Sequence, residues 1–213
     1  MKRALFLLAL GLAGCPSSKS DDPTAGAPSA AAQGAKALIP LAVGQWTRHR
    51  VTREDGTQST IRYQVVAKEN DAFWVEVASG DGSGTVIQLL MKKNSEHDAE
   101  LIAGRVRAPS GEMKESRGAD FEKHKDGFRK AISGTLLPKM QGLPQKDIEV
   151  PAGKFAGCYE EVRTTQVAEI SATNRTFVHP SVPITGLVLS ETVGEKHKME
   201  LEAFGMTGAK SAM

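Results

Sequence analysis

Alternation of apolar and polar residues over short segments most constrains what this chain can fold into. In residues 58–69, QSTIRYQVVAKE, the apolar side chains Ile61, Tyr63 and Val65 alternate with polar ones. Residues 72–79, AFWVEVAS, repeat the alternation. A period of two places the apolar side chains on one side of an extended chain, which is typical of a half-buried β-strand. The pattern therefore predicts a sheet with one apolar face.

Turn residues separate the alternating segments. Asp55-Gly56 follows the segment 45–53, and a Gly at this position supplies the positive φ that a tight hairpin needs. GDGSG at 80–84 is followed by a β-like run and not by a helix, which favours a hairpin over a phosphate-binding loop. We predict about ten strands in all: 45–53, 58–69, 72–79, 85–93, 99–108, 146–153, 154–170, 174–180, 184–194 and 197–205.

A short helix is predicted over residues 128–140, FRKAISGTLLPKM, where apolar residues recur at helical spacing and Pro138 ends the pattern. Residues 109–127 are polar and predict an irregular, exposed segment. Strands joined by short connections pair antiparallel, and a sheet of about ten strands curls or closes. The prediction is a mainly β domain over 38–213, built as a curved antiparallel half-barrel with one short helix.

The beginning of the chain carries a targeting signal. Residues 1–3 are MKR, and an apolar run of 10 residues, 4–13, follows them. About 20 apolar residues are needed to cross a bilayer, so this run fits a signal peptide better than a spanning helix. It ends in the tetrad Leu12-Ala13-Gly14-Cys15, which resembles the lipobox of bacterial lipoproteins. The alternative is an ordinary cleaved signal peptide with a chance cysteine.

The lipobox resemblance implies removal of residues 1–14 and a diacylglycerol on the Cys15 thiol, with further acylation of the new amino terminus. Two or more acyl chains hold a protein stably on a membrane. Cys15 and the following residues, 15–37, contain no large apolar side chain and predict a flexible tether with a span of about 25 Å. Pro16 takes the place of the aspartate that marks inner-membrane retention, which implies an outer-membrane anchor facing the periplasm.

Charge argues against a nucleic-acid partner. Of 27 basic residues the signal peptide removes Lys2 and Arg3, which leaves 25 against 25 acidic residues in the mature chain. The sequence also has no Lys/Arg-rich block with interleaved aromatic residues, which nucleic-acid binding favours. The membrane, reached through Cys15, is the partner that the sequence predicts.

Residues for catalysis or metal binding do not form recognisable motifs. The five histidines show no metal-ligand spacing, and the two cysteines, Cys15 and Cys158, exclude a disulfide framework. We interpret Cys158 as a small apolar core residue, with a reactive or dimer-forming thiol as the alternative. His179 is a candidate for the mouth of a cleft, although a plain exposed histidine is favoured. No enzyme activity, cofactor or metal is predicted.

A second resemblance concerns the later half of the chain. VPAGKFAGCYEE at 150–161, HPSVPITGLV at 179–188 and ELEAFG at 200–205 resemble a layout found in uncharacterised exported bacterial proteins. Several such families are similar to the lipoprotein-localisation-factor fold, in which a curved antiparallel sheet wraps around a helix. The resemblance implies a concave face that can hold an acyl chain or a hydrophobic protein segment.

Large apolar residues of the predicted strands are the candidates for lining that face: Trp46, Tyr63, Trp74, Phe155 and Leu187. The alternative is that they pack against the helix as core. The functional expectation is a membrane-anchored, periplasm-facing lipoprotein that binds a lipid, an acyl chain or a hydrophobic protein segment. A structural or interaction lipoprotein of the envelope, without a small ligand, is the second possibility.

Overall fold

The protein is mainly β, as the alternation predicts. The structure, a computed structural model, describes residues 38–80, 84–93, 99–132, 140–167 and 170–213. The predicted signal peptide and tether, residues 1–37, lie outside the described residues, as does most of the predicted turn at 80–84. The described residues form one antiparallel sheet of 11 strands and one α-helix.

Strand bounds follow the predicted segments closely, and β2 and β3 match them to the residue. The elements in chain order are β1 Trp46–Thr52, β2 Gln58–Glu69, β3 Ala72–Ser79, β4 Val86–Lys93, β5 Ala99–Arg107, β6 Met113–Arg117, α1 Gly118–Ile132, β7 Gln145–Val150, β8 Gly153–Val167, β9 Ile170–Val178, β10 Leu187–Thr192 and β11 Lys198–Gly205.

The strand order is β6-β5-β4-β3-β2-β1-β11-β10-β9-β8-β7. All neighbours pair antiparallel, and each pair is adjacent in the chain except β1 with β11. That long-range pair joins two meanders into a single sheet. The edges β6 and β7 do not pair with each other, so the sheet stays unclosed, and β7 curls back to contact β10 and β11.

The helix and its preceding strand differ from the prediction. Residues 113–117 form the edge strand β6, reached from β5 through a tight turn in which the Ala108 N–H donates to the carbonyl of Glu112. The helix begins at Gly118, ten residues before the predicted start, and the prediction of an irregular segment over 109–127 is wrong. The residues between Phe121 and Phe128 are mostly exposed and polar, so they show no apolar periodicity. Residues 133–139 lie outside the described residues.

The helix packs on one face of the sheet, which we call the inner face. Phe121 is fully buried and stacks on Phe128 at a ring-centroid distance of 5.6 Å. Gly104 of β5 lets both rings approach, because a Cβ there would lie 3.1 Å from Phe121 and 3.2 Å from Phe128. The sheet residues of this first core are Tyr63, Val65, Val75, Leu89, Met91 and Leu101.

The segment 38–45 also crosses the inner face before β1 begins. The Gln45 side chain accepts a hydrogen bond from the Ala42 N–H at 3.1 Å and donates to the Pro40 carbonyl at 2.8 Å. Leu41 packs against the first core. A second core lies where β7 curls over β10 and β11, and it consists of Val150, Phe155, Cys158, Phe177, Val182, Val188, Leu201 and Phe204.

Candidate binding groove

An open groove lies on the inner face, near the ends of β1 and β10, the start of β11 and the middle of β9. Its volume is about 300 Å³, at the lower end of the range of about 300–1,000 Å³ for ligand sites. The lining residues are Val51, Ile61, Asn174, Ser190, Glu191, Thr192, His197 and Met199. Asn174 and His197 are exposed, so the groove opens to solvent.

Strand register brings these distant residues together. Val51 of β1 lies opposite Met199 of β11, and Met199 lies opposite Ser190 of β10. Directly paired residues of antiparallel strands point to the same face, so these side chains share a face with Ile61 of β2. Val51, Ile61 and Met199 form an apolar floor that spans three adjacent strands.

Polar groups border the floor on one side. The Thr192 hydroxyl donates to the Asn174 amide oxygen at 3.0 Å, and a hydrogen bond of 3.4 Å joins Ser190 to Thr176. Glu191 is held by Arg175 in an ion pair of 3.3 Å. The groove therefore combines an apolar floor with a hydrogen-bonding rim, which is the usual chemistry of a site for a ligand that is apolar at one end.

Another part of the inner face is filled. Between the segment 38–41 and the sheet, the structure leaves a space of about 10 Å³, which is about the room that a single water molecule needs. Its walls are mainly apolar and include Leu41, Val75, Met91 and Ile184. The helix and the segment 38–45 thus occupy the part of the inner face next to β3, β4 and β5, and the groove lies outside this part.

The five predicted ligand-binding residues do not come together in this groove. Tyr63 packs in the first core and Phe155 in the second. Leu187 is 3 % exposed and offers its carbonyl to His49. Trp46 and Trp74 alternate with inner-face residues along their strands and so lie on the outer face. A role for these five residues in ligand binding stays a prediction.

Trp74 is covered on the outer face by charged side chains. The Arg105 guanidinium lies 3.9 Å from the ring centroid and that of Arg117 lies 5.4 Å from it. The indole N–H donates to Glu69 at 3.1 Å. Hydrogen bonds from Arg117 and then Trp74 lower the pKa of Glu69 to about 2, so this carboxylate stays ionised and holds the cluster together.

Cys158 fits the interpretation as a core residue. It is fully buried in the second core, and its Sγ lies 3.6 Å from the carbonyl oxygen of Phe155. Burial, with a smaller effect of the nearby Asp147 carboxylate, raises the pKa of the thiol to about 12. Since the thiolate is the reactive form, Cys158 is unreactive in the folded chain.

His179 lies at the second core and not in the groove. Its ring packs edge-on against Phe155, and its Nδ1 lies 2.6 Å from the Ser181 hydroxyl oxygen. Burial lowers the pKa of His179. The Ser181 N–H lies 3.2 Å from the same nitrogen, so the contact belongs to the local turn. Sequence patterns did not indicate this pair.

The described part of the chain contains no group of three or more His, Cys, Asp and Glu residues able to hold a metal ion. None of its helices is long and apolar enough to cross a membrane.

Comparison with known proteins gives one distant similarity. A scan against protein-family models finds no match, and a search of curated proteins finds no similar sequence. A solved structure from Bacteroides fragilis, described provisionally as an exported protein with a YmcC-like fold, is 11 % identical with a TM-score of 0.36. The alignment covers 79 % of this chain and 99 % of that chain. No shared family or function follows from a similarity this low.

Proposed function

We propose that the protein is a lipid-anchored binding module of the bacterial envelope, and that its inner-face groove takes the apolar chain of a lipid. The observation that carries the proposal is the groove itself. It is an open site of about 300 Å³ with a floor of Val51, Ile61 and Met199. The anchor rests on the tetrad that ends in Cys15.

The position of the groove suits a tethered protein. Leu38, where the tether joins the domain, packs against Val178, whereas Asn174 of the groove lies four residues away along the same strand. At about 3.3 Å per residue, this separates the attachment point from the groove by about 13 Å. The tether therefore joins the domain outside the groove, and its span of about 25 Å lets the domain turn toward the membrane surface.

Apolar contact supplies the binding energy in this proposal. Each buried methylene of an acyl chain contributes about 0.8 kcal/mol, so six contribute about 5 kcal/mol. A free energy of that size corresponds to a Kd of about 0.2 mM. The polar rim formed by Asn174, Ser190 and Thr192 faces the end of the ligand that stays in water.

Membrane attachment is tested by the Cys15→Ser variant. We expect the wild type to fractionate with membranes and the variant to move to the soluble periplasmic fraction. Equal retention of both proteins on membranes would show that Cys15 is not the anchor. Separation of inner and outer membranes on a density gradient then tests the proposed outer-membrane location.

Lipid binding is tested on the soluble Cys15→Ser chain, purified from cells without detergent. Native mass spectrometry is expected to show one lipid per chain, and Met199→Asp is expected to remove it. Because Met199 is only partly buried, the variant should keep the far-UV circular dichroism of the wild type.

A second candidate function is an interaction protein of the envelope without a small ligand. The filled first core favours it, since the space left there is only about 10 Å³. This candidate predicts a chain that carries no lipid in native mass spectra and is insensitive to Met199→Asp. The two functions therefore differ in the same experiment.

A further inference from the structure

The outer face carries a row of side chains that binds the backbone of an extended segment. The row consists of Trp46, Gln64, Glu76 and Gln88, which lie opposite one another on β1, β2, β3 and β4. The segment is residues 206–213, which we call the strap. Because the row alternates with inner-face residues along each strand, it lies on the other side of the sheet from the groove.

Side chains of the row contact the strap at successive points. The Trp46 indole N–H donates to the Thr207 carbonyl at 3.0 Å. The Lys210 N–H donates to the Gln64 amide oxygen at 3.2 Å. The strap thus crosses the strands and pairs with side chains of the sheet, instead of adding a strand at an edge.

Glu76 is the centre of the site. Its carboxylate accepts hydrogen bonds from the Ser211 hydroxyl at 2.7 Å and from the Ala212 N–H at 3.0 Å. Gln64 and Gln88 donate to the same carboxylate at 3.0 Å and 2.8 Å. Gln64, Glu76 and Gln88 are 2 %, 0 % and 4 % exposed, so the strap seals a polar site that water does not reach.

The strap itself is held loosely. None of its residues is buried, and five of the eight are exposed. It forms no regular strand and is attached through the hydrogen bonds above and two more, from the Ala209 N–H to the Gly44 carbonyl and from the Gln88 amide to the Ser211 hydroxyl at 3.1 Å. Segments with few buried apolar contacts open locally, well before the whole domain unfolds.

Opening of the strap leaves Glu76 with two of its four donors. Because the strap is what shields this carboxylate from water, water takes the place of the two lost donors, and a segment that offers a hydroxyl and an N–H in the same positions can replace that water. We propose that the row formed by Trp46, Gln64, Glu76 and Gln88 is a peptide-binding site whose resident ligand is the strap, held reversibly. Its ligand class is an extended peptide in which a hydroxyl residue precedes a small residue, as Ser211 precedes Ala212.

Exchange of the strap tests the proposal. A protease site is inserted after the exposed Met206 in the soluble Cys15→Ser chain, which folds intact and is then cut. A fluorescein-labelled peptide of residues 207–213, TGAKSAM, is added and its anisotropy followed. We expect saturable binding of one peptide per cut chain, competition by the unlabelled peptide, and no binding to the uncut chain, where the strap occupies the site.

Variants identify the contacts. Glu76→Gln offers one acceptor oxygen where the carboxylate offers two, so we expect binding at least about tenfold weaker. Glu202→Gln is the matched control, because Glu202 pairs with Arg48 and not with the strap, and it should bind as the wild type does. A folded cut chain that does not bind 1 mM peptide, or that binds equally with Glu76→Gln, overturns the proposal.

Hydrogen exchange on the uncut chain gives an independent test that needs no cleavage. The Lys210 and Ala212 amides are expected to exchange at least a hundredfold faster than the buried Val65 amide, which donates to the Gln45 carbonyl just before β1. Their exchange should also depend little on denaturant. Exchange of the strap amides only through global unfolding would show that the strap is a fixed part of the fold and would overturn the proposal.

Discussion

Stability should fall steeply between pH 7 and pH 5 because His49 is buried without charge. Its Nε2 lies 3.1 Å from the carbonyl oxygen of Leu187, and since a carbonyl only accepts, the proton sits on Nε2. The ring meets Tyr63 edge-on at 5.6 Å. Nδ1 has no hydrogen-bond partner in the described part of the chain, so protonation would create a buried, unpaired N–H. Burial lowers the pKa of His49 to about 4.

The direction of the stability change with pH follows from which state of the chain binds the proton more tightly. The unfolded chain binds a proton at His49 below a pKa of about 6.5, whereas the folded chain binds it only below about 4. Stability is therefore fully present above pH 6.5 and is lost as the pH falls through 6.5 toward 4. With these two pKa values, the free energy of unfolding drops by about 2 kcal/mol between pH 7 and pH 5.

The assay is urea denaturation of the soluble Cys15→Ser chain at pH 7, 6 and 5, followed by far-UV circular dichroism. His49→Gln keeps a donor for the Leu187 carbonyl but does not titrate, so its pH dependence should be smaller by about 2 kcal/mol. The exposed His124→Gln is the matched control and should behave as the wild type. The partly buried His179, whose pKa is also lowered by burial, contributes equally to all three proteins. Equal pH dependence of the wild type and His49→Gln would show that His49 does not cause the loss of stability at low pH.

Two substitutions and one thiol reaction test other contacts of the fold. Phe121→Ala should lower the free energy of unfolding, measured by urea denaturation, by about 3–5 kcal/mol. The exposed Met113→Ala is the control and should lower it by less than about 0.5 kcal/mol. A loss below about 1 kcal/mol for Phe121→Ala would contradict the helix packing. Gly205→Ala should lower the free energy of unfolding by about 1–3 kcal/mol and shift the tryptophan fluorescence, because the new Cβ would lie 2.6 Å from Nε1 of Trp46. An unchanged fluorescence spectrum would contradict this contact. At pH 8, Cys158 should react with Ellman's reagent at least about a hundredfold more slowly in the folded chain than in urea, because the pKa of its thiol is raised to about 12. Equal rates in the two states would show that the thiol is accessible in the folded chain.

The strands could be predicted because each carries its own alternating pattern. The bounds of β2 and β3 agree with the prediction to the residue, and the unclosed antiparallel sheet follows from short connections. The helix was misplaced because Phe121 and Phe128 are its main described apolar anchors and the residues between them are polar. Strand β6 was missed for a related reason, since an edge strand such as MKESR buries little.

The groove could not be predicted from local patterns. It depends on the pairing of Val51 with Met199, two residues far apart in the chain that only the β1–β11 contact brings together. Two of the aromatic residues predicted as ligand contacts, Tyr63 and Phe155, lie in the two cores and not in the groove. The groove floor is made of medium-sized aliphatic side chains, which alternation alone does not distinguish from core.

Some polar positions of the strands are buried, although the sequence pattern favours a solvated surface for them. Alternation places Gln64, Glu76 and Gln88 on the face opposite the helix, where a solvated surface is the ordinary expectation. The structure buries all three beneath the strap. A period of two identifies which side chains share a face, but it does not reveal whether another segment of the chain covers that face.

Titration with an acyl probe tests whether the groove binds the apolar chain of a lipid. A dansyl-labelled fatty acid is added to the soluble Cys15→Ser chain, to Met199→Asp in the groove floor, and to Met113→Asp, the same substitution at an exposed methionine on β6. We expect saturable binding of one probe per chain by the parent and by Met113→Asp. For Met199→Asp we expect a loss of at least about tenfold in affinity, because a charge on the floor must be desolvated. Equal affinity of all three folded proteins, or no saturable binding by the parent, would contradict the proposed lipid-binding groove.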